Sequence, residues 1–293
     1  MLSNCPICQS KSVALKFCLT TENFIYACKS CKTEFIHPQL NEEKLKELYS
    51  KKYYDAWGVS GNTEEKVVRK MKMTTFNLYL DTIKKYKTGG KILDIGCATG
   101  YFLDAALQDG FEPYGVEISE YASRIAKEKF GSENIFTGTI EDVNFPNDSF
   151  DVIVMSDLLE HVRNPLITLK KIFNLLKKDG VVFITTPDTD SFSNKLMGKG
   201  WSHYKTEHFF YFNFNSFKHL AQECGFEIDF FSKTKKALNI EYLYNQFKIY
   251  KHPVLTPLVN MLHAIIPRNY REKNFIFATG EMTIVLKKKA IES

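Results

Sequence analysis

The chain has 293 residues, 44% of them hydrophobic and 25% charged, with a formal net charge of +5 from 39 Lys and Arg against 34 Asp and Glu. Those proportions are globular and exclude a disordered or fibrous chain, and 24 Phe and 15 Tyr supply rings for a core. No block of like charge marks a nucleic-acid tail, and no uninterrupted apolar stretch approaches the ~18 residues of a membrane span.

The first six residues, Met1 to Pro6, lack the basic and apolar regions of a secretion signal, so a cytoplasmic protein is expected. Thiols there stay reduced unless they bind metal or do chemistry. Four of the seven cysteines form two pairs, Cys5-Pro6-Ile7-Cys8 and Cys28-Lys29-Ser30-Cys31. Each pair presents two sulfurs as a knuckle, so residues 1–40 read as a ribbon around one structural zinc, bound by Cys5, Cys8, Cys28 and Cys31. A segment that short buries little core, and the metal supplies folding energy in its place. Two short strands are expected between the pairs, Val13 to Leu19 and Asn23 to Ala27.

Residues 41–88 read as a helical linker or lid. It has a helix over Asn41 to Tyr49, an aromatic cluster that includes Tyr53 and Tyr54, and a second helix over Glu64 to Lys85. From residue 89 strands and helices alternate. Strands are expected at Lys91–Ile95, Tyr114–Glu117, Asn134–Thr137, Phe150–Met155, Val181–Thr185, Glu227–Ser232 and Glu281–Lys287. Helices fall at Tyr101–Gln108, Glu120–Phe130, Pro165–Leu176 and Asn215–Cys224, and Lys177-Lys178-Asp179-Gly180 reads as a turn. The alternation predicts an α/β fold, a doubly wound and mostly parallel sheet of seven strands.

The first strand of that series runs into Asp94-Ile95-Gly96-Cys97-Ala98-Thr99-Gly100, and a helix follows at once. Glycines there permit tight torsions and close approach of a ligand to the helix N-terminus. The next strand ends on Glu117, whose carboxylate is placed to accept both hydroxyls of a ribose. Dinucleotide-binding domains share these two features, so alone they do not choose a cofactor. Further blocks follow: Gly138-Thr139-Ile140-Glu141-Asp142, Asn147-Asp148-Ser149-Phe150-Asp151, Asp157-Leu158-Leu159-Glu160-His161-Val162 and Leu175 to Gly180.

As an ordered set, over residues 89–235, these blocks closely resemble class I S-adenosylmethionine-dependent methyltransferases, including the ubiquinone-biosynthesis O-methyltransferases. The resemblance implies a Rossmann-like fold. It implies that Gly96, Cys97 and Gly100 line the methionine end of S-adenosylmethionine, with Asp94 supporting its amino group and Ser156 nearby. It also implies that Glu117 holds the ribose, that Ile118 lies against adenine, and that Ile140 and Glu141 meet the adenine edge. Two positions depart from the family pattern: Ala98 stands for the middle glycine, and Thr139 for an acid that bonds the adenine amino group.

After Thr186-Pro187-Asp188 comes an aromatic loop, Trp201 to Phe212, that carries Glu207 and His208. Loops leaving the C-terminal edge of a parallel sheet stand over the cofactor, and a Glu-His pair there is a candidate general base. The other reading is that His208 only orders the loop. This Glu-His-x-x-Tyr-Phe run resembles methyltransferases that join a zinc ribbon to this core. Some of them methylate carbon in nucleotide-linked keto-sugars with the matching pair as base. That implies Glu207 and His208 as catalytic residues, with His161 as a second candidate.

Residues 236–274 read as a helical insertion before the last strand of a catalytic domain over 89–293. The expected activity is methylation, on oxygen or carbon, of a small acceptor such as a sugar nucleotide or glycan. An rRNA or tRNA methyltransferase and a non-catalytic binding module are the alternatives. A nucleic-acid partner is disfavoured by the absence of a strong basic face. The sequence does not fix the oligomeric state.

Overall fold

The computed structural model describes residues 4–41, 43–45, 63–249 and 255–290. Tyr53, Tyr54 and most of the helix expected over 41–49 lie outside the described residues. Three short strands open the chain: β1 (Val13–Cys18), β2 (Phe24–Cys28) and β3 (Glu34–His37). The helix α1 (Thr63–Ile83) then leads to the alternating series. It runs β4 (Gly90–Ile95), α2 (Tyr101–Gln108), β5 (Phe111–Glu117), α3 (Glu120–Phe130), β6 (Ile135–Thr137), β7 (Phe150–Ser156), α4 (Pro165–Leu175) and β8 (Leu176–Pro187).

The rest comprises α5 (Phe192–Met197), β9 (Phe210–Tyr211), α6 (Phe214–Glu223), β10 (Phe226–Leu238), α7 (Ile240–Ile249), α8 (Leu255–Ile265), α9 (Arg268–Arg271) and β11 (Phe275–Lys288).

The main sheet has seven strands in the order β10-β11-β8-β7-β4-β5-β6. Strands β4 to β8 are parallel to one another, and β11 is antiparallel to both β8 and β10. Both faces are covered, which is why the strands read as continuous apolar runs. The side chains nevertheless divide with period two. Leu93, Ile95, Ile153, Met155, Val182 and Ile184 join one core, and Ile92, Val152, Val154, Val181 and Phe183 join the other. The chain runs outward from β4 to β6, then returns to β7 on the opposite side of β4. The order therefore reverses between β4 and β7, where the crevice for a ligand opens.

Several expectations are adjusted. The stretch Lys177 to Gly180 is not a turn: β8 starts at Leu176, opposite Phe150, and the extra residues are absorbed by a register shift before Val152 pairs with Val181. Strand β10 continues to Leu238 and β11 begins at Phe275, so the helical part of the insertion is confined to 240–271. Helix α1, read as linker, packs Tyr79, Leu80 and Ile83 into the second core.

The ribbon strands form a separate four-stranded sheet, β1-β2-β3-β9, whose last strand comes from the aromatic loop. Glu34 pairs with Tyr211 and Phe35 with Phe210. Ile7, Ile25, Phe35 and Ile36 share one core with Phe209, Phe212 and the first face of the main sheet.

Candidate active site

The turn after β4 is built from left-handed residues: Gly96, Ala98 and Gly100 have φ of 79°, 48° and 83°. Gly100 is the N-cap of α2 and, having no side chain, supplies no side-chain cap to the start of the helix. A Cβ at Gly100 would meet the Phe130 ring at 2.5 Å, and one at Gly96 would meet Leu158 at 3.1 Å. The Cys97 thiol packs over Gly115, leaving the Cys97 backbone to the turn.

The buried Glu117 carboxylate bridges two elements. It accepts from the Ala98 amide at 2.9 Å and from the Ser119 amide, at the start of α3, at 2.8 Å. Asp94 is buried at the end of β4. Burial, together with the Glu117 charge, holds its carboxyl well above the ordinary carboxylate range, so a cationic ligand group beside it would be favoured.

Ile140 is buried and Ile118 is exposed at the surface between β5 and α3. The Glu141 carboxylate accepts from the Thr168 hydroxyl on α4. The Thr139 hydroxyl and amide both donate to Asp142, at 2.6 and 3.2 Å. Ser156 ends β7 beside Asp157, which sits at φ 54°. These groups fit the cofactor implied by the sequence: a glycine cradle, a helix N-terminus without a side-chain cap, and one carboxylate at the end of each of β4 and β5.

On the acceptor side, His161 and His208 lie edge to face with ring centroids 4.5 Å apart. His161 Nδ1 meets the Glu207 carbonyl oxygen at 3.0 Å, so that nitrogen carries the proton and Nε2 the lone pair. His208 is 5% exposed, and its Nδ1 has no hydrogen-bond partner among the described residues. The carboxylate that joins the two imidazoles is Glu160, which lies within 4.8 Å of both. Glu207 directs its own carboxylate to the Thr206 hydroxyl, at 3.3 Å. Burial first, then the Lys205 charge, pushes His161 down to about 4. Burial and the His161 charge push His208 well below the ordinary histidine value. Both imidazoles are therefore neutral at pH 7.

A buried charge network that sequence reasoning missed lies beside them. Lys236 Nζ donates to Asp157 and reaches Glu281 at 2.6 Å, while His203 Nε2 lies 3.8 Å from Glu281. Thr186 donates to Glu160 at 2.9 Å. Asp157 stood within a recognised block, but nothing in the sequence marked Lys236 or Glu281 as its partners.

In the ribbon, Cys5 and Cys31 sulfurs are 3.7 Å apart and those of Cys8 and Cys28 3.6 Å. All four sulfurs lie within 4.8 Å of one another. Tetrahedral thiolates on zinc, with bonds of about 2.3 Å, stand about 3.8 Å apart, whereas a disulfide needs about 2.0 Å. The cluster fits a closed metal site. Hydrogen bonds from Cys5 and Thr33 lower the Cys31 thiol against the opposing effect of burial.

Comparison with known proteins gives consistent results. Residues 69–229, more than half of the chain, match the family model described as "Methyltransferase domain". A ubiquinone biosynthesis O-methyltransferase of Haemophilus ducreyi is 33% identical over 118 residues, which are 37% of this chain and 50% of that protein. The chain thus matches about half the length of that relative. An uncharacterized protein of Methanocaldococcus jannaschii is 29% identical over 157 residues, 50% of this chain and 70% of that one. A solved SAM-dependent methyltransferase of Thermotoga maritima shares the fold with a TM-score of 0.52 at 21% identity, covering 84% of this chain and 99% of that one.

Proposed function

The chain belongs to the methyltransferase-domain family, and on that premise we propose that it transfers the methyl group of S-adenosylmethionine to a small sugar-like or other hydroxylated or keto acceptor. When bound, the cofactor supplies an electrophilic methyl carbon on a sulfonium, open to direct displacement. The protein's work is then positioning, removal of the acceptor proton and exclusion of water. Gly96, Gly100 and the Cys97 backbone would take the methionine end, and Asp94 its amino group. Glu117 would take the ribose hydroxyls, with Ile118, Ile140 and Glu141 around the adenine and Ser156 near the methionine. The ribbon would hold one structural zinc on Cys5, Cys8, Cys28 and Cys31.

The observation that carries the acceptor reading is the unpartnered, buried Nδ1 of His208, beside a second neutral imidazole. With the imidazole proton on Nε2, Nδ1 is a buried acceptor without a donor, which is costly, and a substrate hydroxyl or enolisable C–H group would meet it as a proton donor. His208 is the proposed base, with His161 and Glu160 placed to share the proton. Glu207 contributes by fixing His161 through its carbonyl. A nucleotide-linked keto-sugar or a glycan is the favoured acceptor class, by the likeness of the Glu-His loop.

The test uses the full chain, methyl-labelled S-adenosylmethionine and two acceptor panels, nucleotide-linked keto-sugars and hydroxylated aromatic rings. Label should enter one panel. His208→Ala should cut turnover roughly 10²–10⁴-fold at saturating acceptor while leaving cofactor affinity intact. Glu117→Ala should instead weaken cofactor binding at least ~10-fold, from loss of a charge-assisted contact worth about 1.5–3 kcal/mol. Full activity in His208→Ala would remove the base assignment, and unchanged cofactor affinity in Glu117→Ala would remove the ribose assignment.

A further inference from the structure

The residue that follows the proposed base is gripped from two directions. The Phe209 amide donates to the Glu160 carbonyl at 2.7 Å, which ties the loop to the helical turn that follows β7. The Phe209 carbonyl accepts from the Ile36 amide at 3.0 Å, which ties it to the ribbon. Two more residues, Phe210 and Tyr211, then pair with Phe35 and Glu34 as β9 against β3. The ribbon therefore supplies one of the two backbone bonds of Phe209 and the pairing of the two residues after it.

One side chain locks this pairing. The Glu34 carboxylate, 11% exposed, accepts from the Tyr204 hydroxyl at 2.8 Å and from Lys16 Nζ. Lys16 also donates to the Tyr204 hydroxyl oxygen at 3.0 Å, closing a triangle between the ribbon and the loop. Tyr204 packs edge-on against Phe17 and against Tyr211, with centroids 4.9 Å apart in both cases. The Tyr211 hydroxyl donates to the Lys205 carbonyl at 2.9 Å and accepts from the Lys205 amide at 3.2 Å, so the loop is laced on both sides of His208. Glu34 stands three residues after Cys31. Between them, the Thr33 carbonyl accepts from the Cys28 amide at 2.9 Å, and its hydroxyl takes the Cys31 thiol at 3.3 Å. No residue separates the sulfur cluster's hydrogen bonds from the strand that grips the loop.

We propose that Glu34 is a positioning residue for His208, acting through Tyr204 and the β3–β9 pairing, so that metal binding at the four cysteines and the order of the 201–212 loop form one equilibrium. The placement of His208 is a fact of the fold, but its importance for turnover rests on the function proposed above. The physical reason for the coupling is that β1 to β3 add few buried side chains of their own to the core they share with the main sheet, so their order leans on the metal as well. When β3 dissolves, the Phe209 carbonyl and the edge of β9 lose their partners, and backbone groups at the core boundary do not remain unpaired without rearrangement.

The test is hydrogen exchange on the full metal-loaded chain, compared with chelated wild type, Glu34→Ala, Glu34→Gln and Tyr204→Phe. Amides of Phe209 to Phe212 should exchange at least about tenfold faster in Glu34→Ala and after chelation, because a local opening has become easier. Glu34→Gln should restore most of the protection, since its amide oxygen still accepts from Tyr204. Tyr204→Phe, which removes one oxygen and keeps the ring, should loosen the loop without unfolding the ribbon. Amides of the turn at 96–100 and cofactor affinity by calorimetry should stay within about twofold, because β4, α2 and the Glu117 carboxylate hold that turn. The His208 imidazole, followed by NMR, should titrate closer to the ordinary histidine value in Glu34→Ala. The proposal is overturned if Phe209 to Phe212 stay protected once the metal is gone. It is also overturned if the cofactor turn loosens as much as the loop. An active His208→Ala variant beside a loosened Glu34→Ala loop would sink the base assignment alone.

Discussion

At the scale of single residues, the acceptor side holds opposed titrations. Burial pushes His161 and His203 each down to about 4, and pushes His208 well below its ordinary value. Burial and the Asp157 charge push Glu160 up to about 8 and Glu281 up to about 7. Between pH 4 and 6.5 the unfolded chain binds protons on the histidines that the folded chain refuses, so stability rises with pH, by on the order of 3 kcal/mol at most for each of His161 and His203. Across the two glutamates the folded chain binds more protons than the unfolded one above about pH 4.5, and stability falls as pH climbs through 7 and 8. Three histidines outweigh two glutamates below 6.5 and contribute nothing further above it. Thermal unfolding should therefore show maximal stability near pH 6.5, and Glu281→Gln should flatten the alkaline limb. A melting temperature that rises steadily from pH 6.5 to 8 would contradict this arrangement.

At the scale of elements, the cofactor turn gives two substitutions of opposite sign. Gly100 has φ 83° and its missing Cβ would strike Phe130, so Gly100→Ala should cost ~1–3 kcal/mol and weaken cofactor binding as the start of α2 shifts. Ala98 already carries a left-handed φ of 48°, so Ala98→Gly should be neutral or stabilising by up to ~1 kcal/mol. Denaturant melts of both variants check the pair, and a destabilised Ala98→Gly would mean that the methyl group packs usefully. The same turn explains what was legible in the sequence. Strand β4, the glycines and α2 are contiguous, and Glu117 lies one βα unit on, so local pattern and short-range spacing suffice. The β3–β9 pairing was not legible, because it joins Glu34 to Tyr211 through a two-residue strand with no periodicity to read. Glu207 was expected to support His208 by the likeness of this Glu-His loop to that of other methyltransferases. The fold instead brings Glu160 to the imidazoles, from a segment 48 residues away. Strand β10 runs past Ser232, where the expected strand ends, and Thr234 and Thr283 face each other across β10 and β11 with a buried 2.8 Å hydrogen bond.

At the scale of the whole molecule, the ribbon and the main sheet share one core. Phe35 lies 6.5 Å from Phe210, and Phe210 is 6.1 Å from Phe212, which packs on Phe217 of α6. Rings continuous from the ribbon to the helices over the sheet do not melt in separate steps, because exposing any one strips contacts from the next. Phe35→Ala should thus cost about 3–5 kcal/mol and lower a single transition of the whole chain. A free-standing ribbon would behave differently: the variant would create a small early transition and leave the main one in place. Cofactor gives a second handle, since a ligand at 100 times its Kd stabilises whatever unfolds with its site by about 2.7 kcal/mol. Metal release, followed with a zinc-sensitive dye during heating, should coincide with the loss of near-ultraviolet ellipticity. Both should move upward together when S-adenosylmethionine is added, although the cofactor turn and the four ribbon cysteines lie on different elements. Metal released at an unchanged temperature while the sheet is protected would show that the shared core does not transmit stability to the ribbon.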